Sequence, residues 1–424
     1  MFKKARAGLT PKGNRILVML ESMLTAGIIS VPFMTILYEA ELGLSHEQIA
    51  LTQAAYTLVA MLLNIPLGWV ADRFGRKNAN ITGDACCFIG LVLYSKAQSM
   101  YDCILCETIF GVGMAFSQGV DSSLLKHFAD KEDPSNDHKL YNDSYGIMSS
   151  LCQIAALVYY VIGFTIGNMD IRTIILVSSF PFVFAVIASM LINDDSKRLE
   201  KPSKKPKTEG GNKESNTIFG IIVDTMKNPK LNIRIAAFIV AREITHGIIW
   251  CFTPLLQSVG IDGRWIVLGW AANSLMAFVG TKLARKHSIN LPEWINFLVP
   301  IVLVTVAGSI MSTGTSLLTL SLYTLFGIAQ GWTRVTMMPQ IKNRVAEEKQ
   351  CTVESIAKVF SDFCYMFAVT AIGWAADIEL RYAALVTLVI FVPFAIPVAI
   401  RLRHQEASDK DDDTPEMAVE VESA

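Results

Sequence analysis

Gly68-Trp-Val-Ala-Asp72-Arg73-Phe-Gly75-Arg76-Lys77 closes one long apolar segment and opens the next. Gly68 lets a helix end sit close against a neighbour. Asp72 is a lone acid just past the apolar run, and Gly75 can take a turn conformation closed to larger residues. Arg73, Arg76 and Lys77 hold the turn inside, because short loops rich in lysine and arginine stay in the cytoplasm. The stretch therefore reads as a cytoplasmic hinge between two membrane helices.

The rest of the chain agrees. Its 424 residues are 52% hydrophobic and 18% charged, with a mean hydropathy of +0.41. Soluble proteins carry roughly a quarter charged residues, so the composition is that of a polytopic membrane protein. The net charge of -1 is uninformative, since opposite charges are segregated along the chain, and nothing suggests a nucleic-acid partner. The eight cysteines lie mostly inside apolar runs without the His/Cys clustering of a metal site, so they read as packing residues and no cofactor or metal is expected. Cys103-x-x-Cys106 has redox or metal spacing but no nearby ligands. Lys3, Lys4, Arg6, Lys12 and Arg15 before an apolar run imitate a signal peptide. That run continues to about Tyr38 without a small-residue cleavage site, which predicts an uncleaved first span.

Apolar stretches of about twenty residues place six spans near 14–38, 47–70, 78–98, 101–127, 142–167 and 171–193. Six more fall near 231–256, 263–285, 291–313, 316–341, 353–376 and 381–403. With both termini inside, Lys96, Arg172, Arg264 and Arg381 are the outward-loop members among 37 lysines and arginines, and Arg242, Arg334 and Lys358 fall within helices. This asymmetry supports twelve spans with cytoplasmic termini in an inner or plasma membrane. The expected organisation is a six-helix bundle over 1–193, a cytoplasmic linker over 194–230, a second bundle over 231–403 and a disordered acidic tail over 404–424. Lys-Pro-Ser-Lys-Lys-Pro-Lys makes the linker unable to form a core. Ile218, Ile221, Ile222 and Met226 recur at helical spacing after it, giving either a surface helix or an extension of the seventh span.

The opening stretch resembles the G-x-x-x-D-R-x-G-R-K signature of the major facilitator superfamily, with Gly68, Asp72, Arg73, Gly75, Arg76 and Lys77 at the six defining positions. The resemblance implies an all-α membrane protein of two pseudo-symmetric six-helix bundles, acting as a monomeric secondary transporter by alternating access and not as an enzyme. It also implies that Asp72 helps close the cytoplasmic side against the start of the eleventh helix. A related second hinge is expected after the eighth span, where Gly280-Thr-Lys-Leu-Ala284-Arg285-Lys286 keeps the glycine and basic residues but has alanine in place of the acid.

Ionised residues inside a span cost about 2.5–3.5 kcal/mol on insertion scales and normally face a cavity or a partner. The resemblance implies that the first, fourth, seventh and tenth helices line the cavity. Glu21, Glu107, Asp121, Arg242, Glu243, His246 and Arg334 lie on those four, and Lys358 and Asp362, able to neutralise one another, lie on the eleventh. Glu107, Gly111, Met114, Gln118 and Asp121 recur at steps of three or four and predict one polar face. Glu107-Thr-Ile-Phe-Gly111-Val-Gly113 is similar to the superfamily's R-x-x-x-G-x-G motif, with glutamate where the arginine linked to proton transfer would stand. Glu243 and His246 form a cluster able to pass a proton, with Glu21 and Glu107 as further coupling residues; a self-neutralising Arg242–Glu243 pair is the alternative. Arg242, Arg334 and Gln330, with Asp121 and Gln118, form the expected substrate site, because guanidinium groups suit carboxylate or phosphate. The reading is a transporter of a small organic solute, anionic and coupled to protons. Efflux of amphipathic drugs is one alternative, although Tyr145 to Gly167 lacks the proline-containing helix-five motif of drug antiporters; a non-transporting sensor with the same fold is another.

Overall fold

A computed structural model of the chain describes residues 9–34, 36–44, 46–117, 119–135, 138–193, 218–248, 252–261, 263–314, 316–346 and 349–412. The expected linker over 194–217 and the end of the tail, 413–424, lie outside the described residues. In the first half, helices run from Pro11–Leu24 (α1), His46–Phe74 (α2), Arg76–Tyr94 (α3), Met100–Ser117 (α4), Val120–Glu132 (α5), Lys139–Ile166 (α6) and Ile171–Leu191 (α7). After the linker come Ile218–Lys227 (α8), Pro229–His246 (α9), Phe252–Ser258 (α10), Ile266–His287 (α11) and Glu293–Met311 (α12). Leu317–Ser321 (α13), Tyr323–Lys342 (α14), Gln350–Ile378 (α15) and Tyr382–Asp412 (α16) complete the second half.

Local chemistry sets several of these boundaries. Thr10 caps α1 by accepting the Gly13 amide at 3.1 Å, with Pro11 in the first turn where its missing N–H costs nothing. Asn228 caps α9 through the amides of Lys230 and Leu231, ahead of Pro229. That cap separates α8 from the seventh span, so the Ile218–Met226 periodicity belongs to a helix of its own. Its Ile221 is buried beside Ile65 and Trp69 from α2 and Val353 and Ile356 from α15, while Phe219 is exposed.

Among the described residues, eight stretches are long and apolar enough to cross a bilayer, α4 and α5 counting as one. Large apolar side chains such as Leu62, Phe180, Val389 and Phe394 stand exposed on the outer faces of these helices, where a lipid solvent accounts for them. The spans that fall short of that test are the first, third, seventh and tenth. Two are broken: α1 stops at Leu24 and is followed by separate turns at Val31–Phe33 and Ile36–Glu41, and α9 stops at His246 before α10. The other two, α3 and α14, remain continuous but carry Asp84 and Arg334. The fourth span is also broken, at Gly119, whose φ of 75° no ordinary side chain adopts comfortably. The single polar face expected from Glu107 to Asp121 is therefore not formed, because the two residues lie on different helical segments.

Each half buries its own apolar core, and close helix crossings depend on glycine. A Cβ on Gly331 of α14 would meet the Ala277 carbonyl oxygen of α11, and one on Gly280 would meet that of Ile328. The expected second hinge at Gly280–Lys286 is thus continuous helix, with Gly280 serving packing. Likewise α16 runs through Arg403 to Asp412, past the point where a disordered tail was expected to begin. Gly331→Val should separate α11 from α14 at a cost of about 1–3 kcal/mol or more, read as a loss of monodisperse protein on size exclusion in detergent. Gly373→Ala, with open space around it, should leave that profile unchanged.

Candidate functional site

The hinge residues meet the other half of the molecule. Gly75, with φ 107°, ends α2 and lets α3 start at Arg76, which returns to Asp72 at 3.1 Å. The other Asp72 oxygen accepts both the amide and the hydroxyl of Thr352, each at 3.0 Å, in the first turn of α15 where the helix dipole is positive. Gly68 permits this approach, since a Cβ there would lie 2.5 Å from Ser355 Oγ. Lys77 donates to the carbonyls of Met190 and Ile192 and ties the turn to the end of α7. Arg73 lies exposed over the Trp69 ring.

A second set of contacts closes the same face. Buried Lys342, at the end of α14, pairs with Glu354 at 2.6 Å and crosses to the first half, donating to Gly119 O at 3.1 Å and Ser123 Oγ at 2.7 Å. Ser122 Oγ donates to Glu354 at 2.8 Å, and Arg285 pairs with Asp143 at 2.7 Å. The Gly119 carbonyl thus accepts from Lys342 as well as from the Ser123 amide, at 3.2 Å, in the first turn of α5. In this conformation the hinge face is shut.

Deeper in, the two arginines differ. Arg242 meets the carboxylates of Glu243 and Asp362 and the hydroxyl of Ser361, so its charge is matched locally. His246 Nδ1 is held by the Arg242 carbonyl oxygen at 2.8 Å, which the Thr245 hydroxyl also reaches at 2.8 Å. Gln330 is likewise committed, donating to Thr245 O at 2.9 Å and lying 3.4 Å from the Asn273 amide. Arg334, in contrast, has no hydrogen bond or ion pair among the described residues. It is solvent-exposed between buried Thr333 and Val335, and it faces Tyr145 and Cys152 of α6 and His246 of α9. An unmatched guanidinium between the two halves, reached by water, is suited to an incoming anion.

The acids also separate. Glu107 is buried and accepts from the hydroxyls of Tyr38 and Tyr94, at 3.3 and 3.2 Å. Glu21 and Asp121 come together where α1 ends and α5 begins, and Asp84 of α3 joins them. Gln118 lies outside the described residues.

Comparison with known families is decided by extent: a model of the Major Facilitator Superfamily matches residues 16–369. The chain belongs to that superfamily. It is a multi-pass membrane protein with the superfamily's twelve-helix fold. Over 107 residues it is also 32% identical to a nitrite extrusion protein of Bacillus subtilis (strain 168), a match covering 25% of this chain and 26% of that relative.

Within this superfamily member, sequence reasoning overlooked Asp84, Lys342 and Glu354. Asp84 sits on a helix outside the expected cavity-lining set. Lys342 follows the tenth apolar run directly, and only its burial reveals it as a bridge between the halves. The signal available for Lys342 was that place, immediately after the run and next to Ile341.

Proposed function

We propose that the chain is a secondary transporter of small anions, working by alternating access in an inner or plasma membrane and coupled to protons. Arg334 carries the reading: it is an exposed cation with no ion pair among the described residues, while Arg242 is matched by two carboxylates. A guanidinium fork favours anions with two acceptor oxygens on one centre, such as carboxylates or nitrite. The local similarity to a nitrite extrusion protein supports the same charge class. Alternating access requires contacts that hold one face shut and can be broken, and the Asp72–Thr352 and Lys342–Ser123 bridges supply them on the hinge face. Arg242 and Gln330 position the helices around this site, with Glu243 and Asp362 balancing the charge.

Purified protein in liposomes should accumulate labelled nitrite or small monocarboxylates under an imposed pH gradient and should not accumulate lipophilic cationic dyes. Accumulation of the dyes with no anion uptake would replace this reading by drug export.

The hinge face is taken as cytoplasmic, with both termini on that side. Cysteines introduced at Ser203→Cys and Ser408→Cys, in a chain without other reactive thiols, should react with an impermeant maleimide only after cells are permeabilised. Labelling of either site in intact cells would reverse the orientation.

A further inference from the structure

Buried in the first half is a carboxyl cluster that the anion site does not use. Glu21, from the last turn of α1, and Asp84, from α3, are each 1% exposed, and Asp121 opens α5 just past the Gly119 break. Glu21 lies beside both Asp121 and Asp84, and Asn80 Nδ2, which donates to Asp121, is 3.3 Å from the Ser189 hydroxyl that serves Asp84. Three donors serve the cluster: Ser22 Oγ to Asp121 at 2.8 Å, Asn80 Nδ2 to Asp121 at 3.0 Å, and Ser189 Oγ to Asp84 at 3.4 Å. None of the three acids has an ion pair among the described residues. Glu21 Oε2 and Asn80 Oδ1, both buried, lack any hydrogen-bond partner.

Among the described residues, the other titratable groups found against the cluster add no positive charge. Glu354 faces Asp121 from α15, Tyr145 and Cys152 face it from α6, and Cys87 lies beside Asp84 and Glu21 on α3. Adjacent buried carboxylates with no cation between them repel, and a proton on one of them relieves that repulsion. Uncompensated charge buried in this way is otherwise prohibitive. Geometry, charge balance and the two unpartnered oxygens therefore all call for a bound hydrogen ion.

We propose that Glu21, Asp84 and Asp121 together form the site that binds and releases the coupling proton, separate from the anion site at Arg334. The proton comes from water on one side of the membrane, bonds to a carboxylate oxygen of the cluster and leaves to water on the other side; no other atom changes hands. Linkage to the gate is covalent and short, because Asp121 is followed by Ser122, whose hydroxyl holds Glu354 and through it Lys342. Losing the proton leaves adjacent like charges at the junction of α1 and α5, which favours separation of those two ends and loosens the Ser122–Glu354 contact. Glu243 is less suited to the task, because Arg242 already neutralises it.

The proposal rests on the transport reading, so its test keeps the two apart. In liposomes, Glu21→Gln, and separately Asp84→Asn, should retain exchange of labelled nitrite against internal nitrite but lose accumulation driven by a pH gradient. The infrared carbonyl band of a protonated carboxyl, present in the wild type, should be lost or shifted in Glu21→Gln. If the wild type exchanges no anion, the transport reading fails, while the infrared band still tests the bound proton. If exchange persists and pH-driven accumulation is unchanged in both variants, the proton site is wrong. Uptake driven by a sodium gradient at equal pH would also overturn it, by making the cluster a metal-cation site.

Discussion

Arg334→Gln is expected to weaken anion binding by about tenfold to a hundredfold. The side chain has no hydrogen-bonding or ionic partner among the described residues, so little packing is lost with it. What goes is a set of hydrogen bonds from a charged donor, each contributing about 1.5–3 kcal/mol, and every 1.4 kcal/mol is a factor of ten in Kd. Arg334→Lys keeps the charge but loses the planar two-pronged geometry, so it should retain part of the affinity. Arg242→Gln should behave differently, leaving Glu243 and Asp362 without their cation and reducing folded yield as well as transport. Nitrite-dependent thermal stabilisation of the purified variants separates these outcomes. Wild-type affinity in Arg334→Gln would make the residue structural.

Lys342→Met should open the hinge face. The lysine is the buried cation that joins Glu354 to Gly119 and Ser123, and losing one partner of a buried pair costs about 3–5 kcal/mol. Much of that cost falls on the closed conformation, where Glu354 is shielded from water. Even about 2 kcal/mol of differential cost moves the balance between conformations roughly thirtyfold. Asp72→Asn should shift it in the same direction but less, since an amide oxygen can still accept from Thr352 while the charge facing Arg76 and the helix dipole is lost. Spin labels at Asn78→Cys and Ala346→Cys, in a chain whose other cysteines are replaced, report the change as a longer distance in Lys342→Met. An unaltered distance distribution would mean that Lys342 does not hold the gate.

Much of this architecture was legible because it depends on local chemistry. The turn at Gly75 needs a glycine and flanking charges, and both are contiguous in sequence. Membrane insertion is written in apolar runs, and the costly charges inside them stand out, which drew attention to Arg334 and Glu21. What escaped notice depends on contacts between distant residues. Glycine at position 119 fits a helical polar stripe as well as a left-handed break, and only the tertiary demand for its carbonyl at Lys342 distinguishes the two. Arg242 and Arg334 look alike in sequence; Ser361 and Asp362, more than a hundred positions away, distinguish them. Asp84 was passed over because its two carboxyl neighbours come from other helices.

The most direct test of the account is counterflow in proteoliposomes. Vesicles loaded with unlabelled nitrite and diluted into labelled nitrite, without any pH gradient, should take up label transiently through the wild-type protein. The same vesicles should show none above background with Arg334→Gln protein of equal folded amount. Equal counterflow through both proteins would contradict the assignment of Arg334 as the anion-binding group on which the proposed function rests.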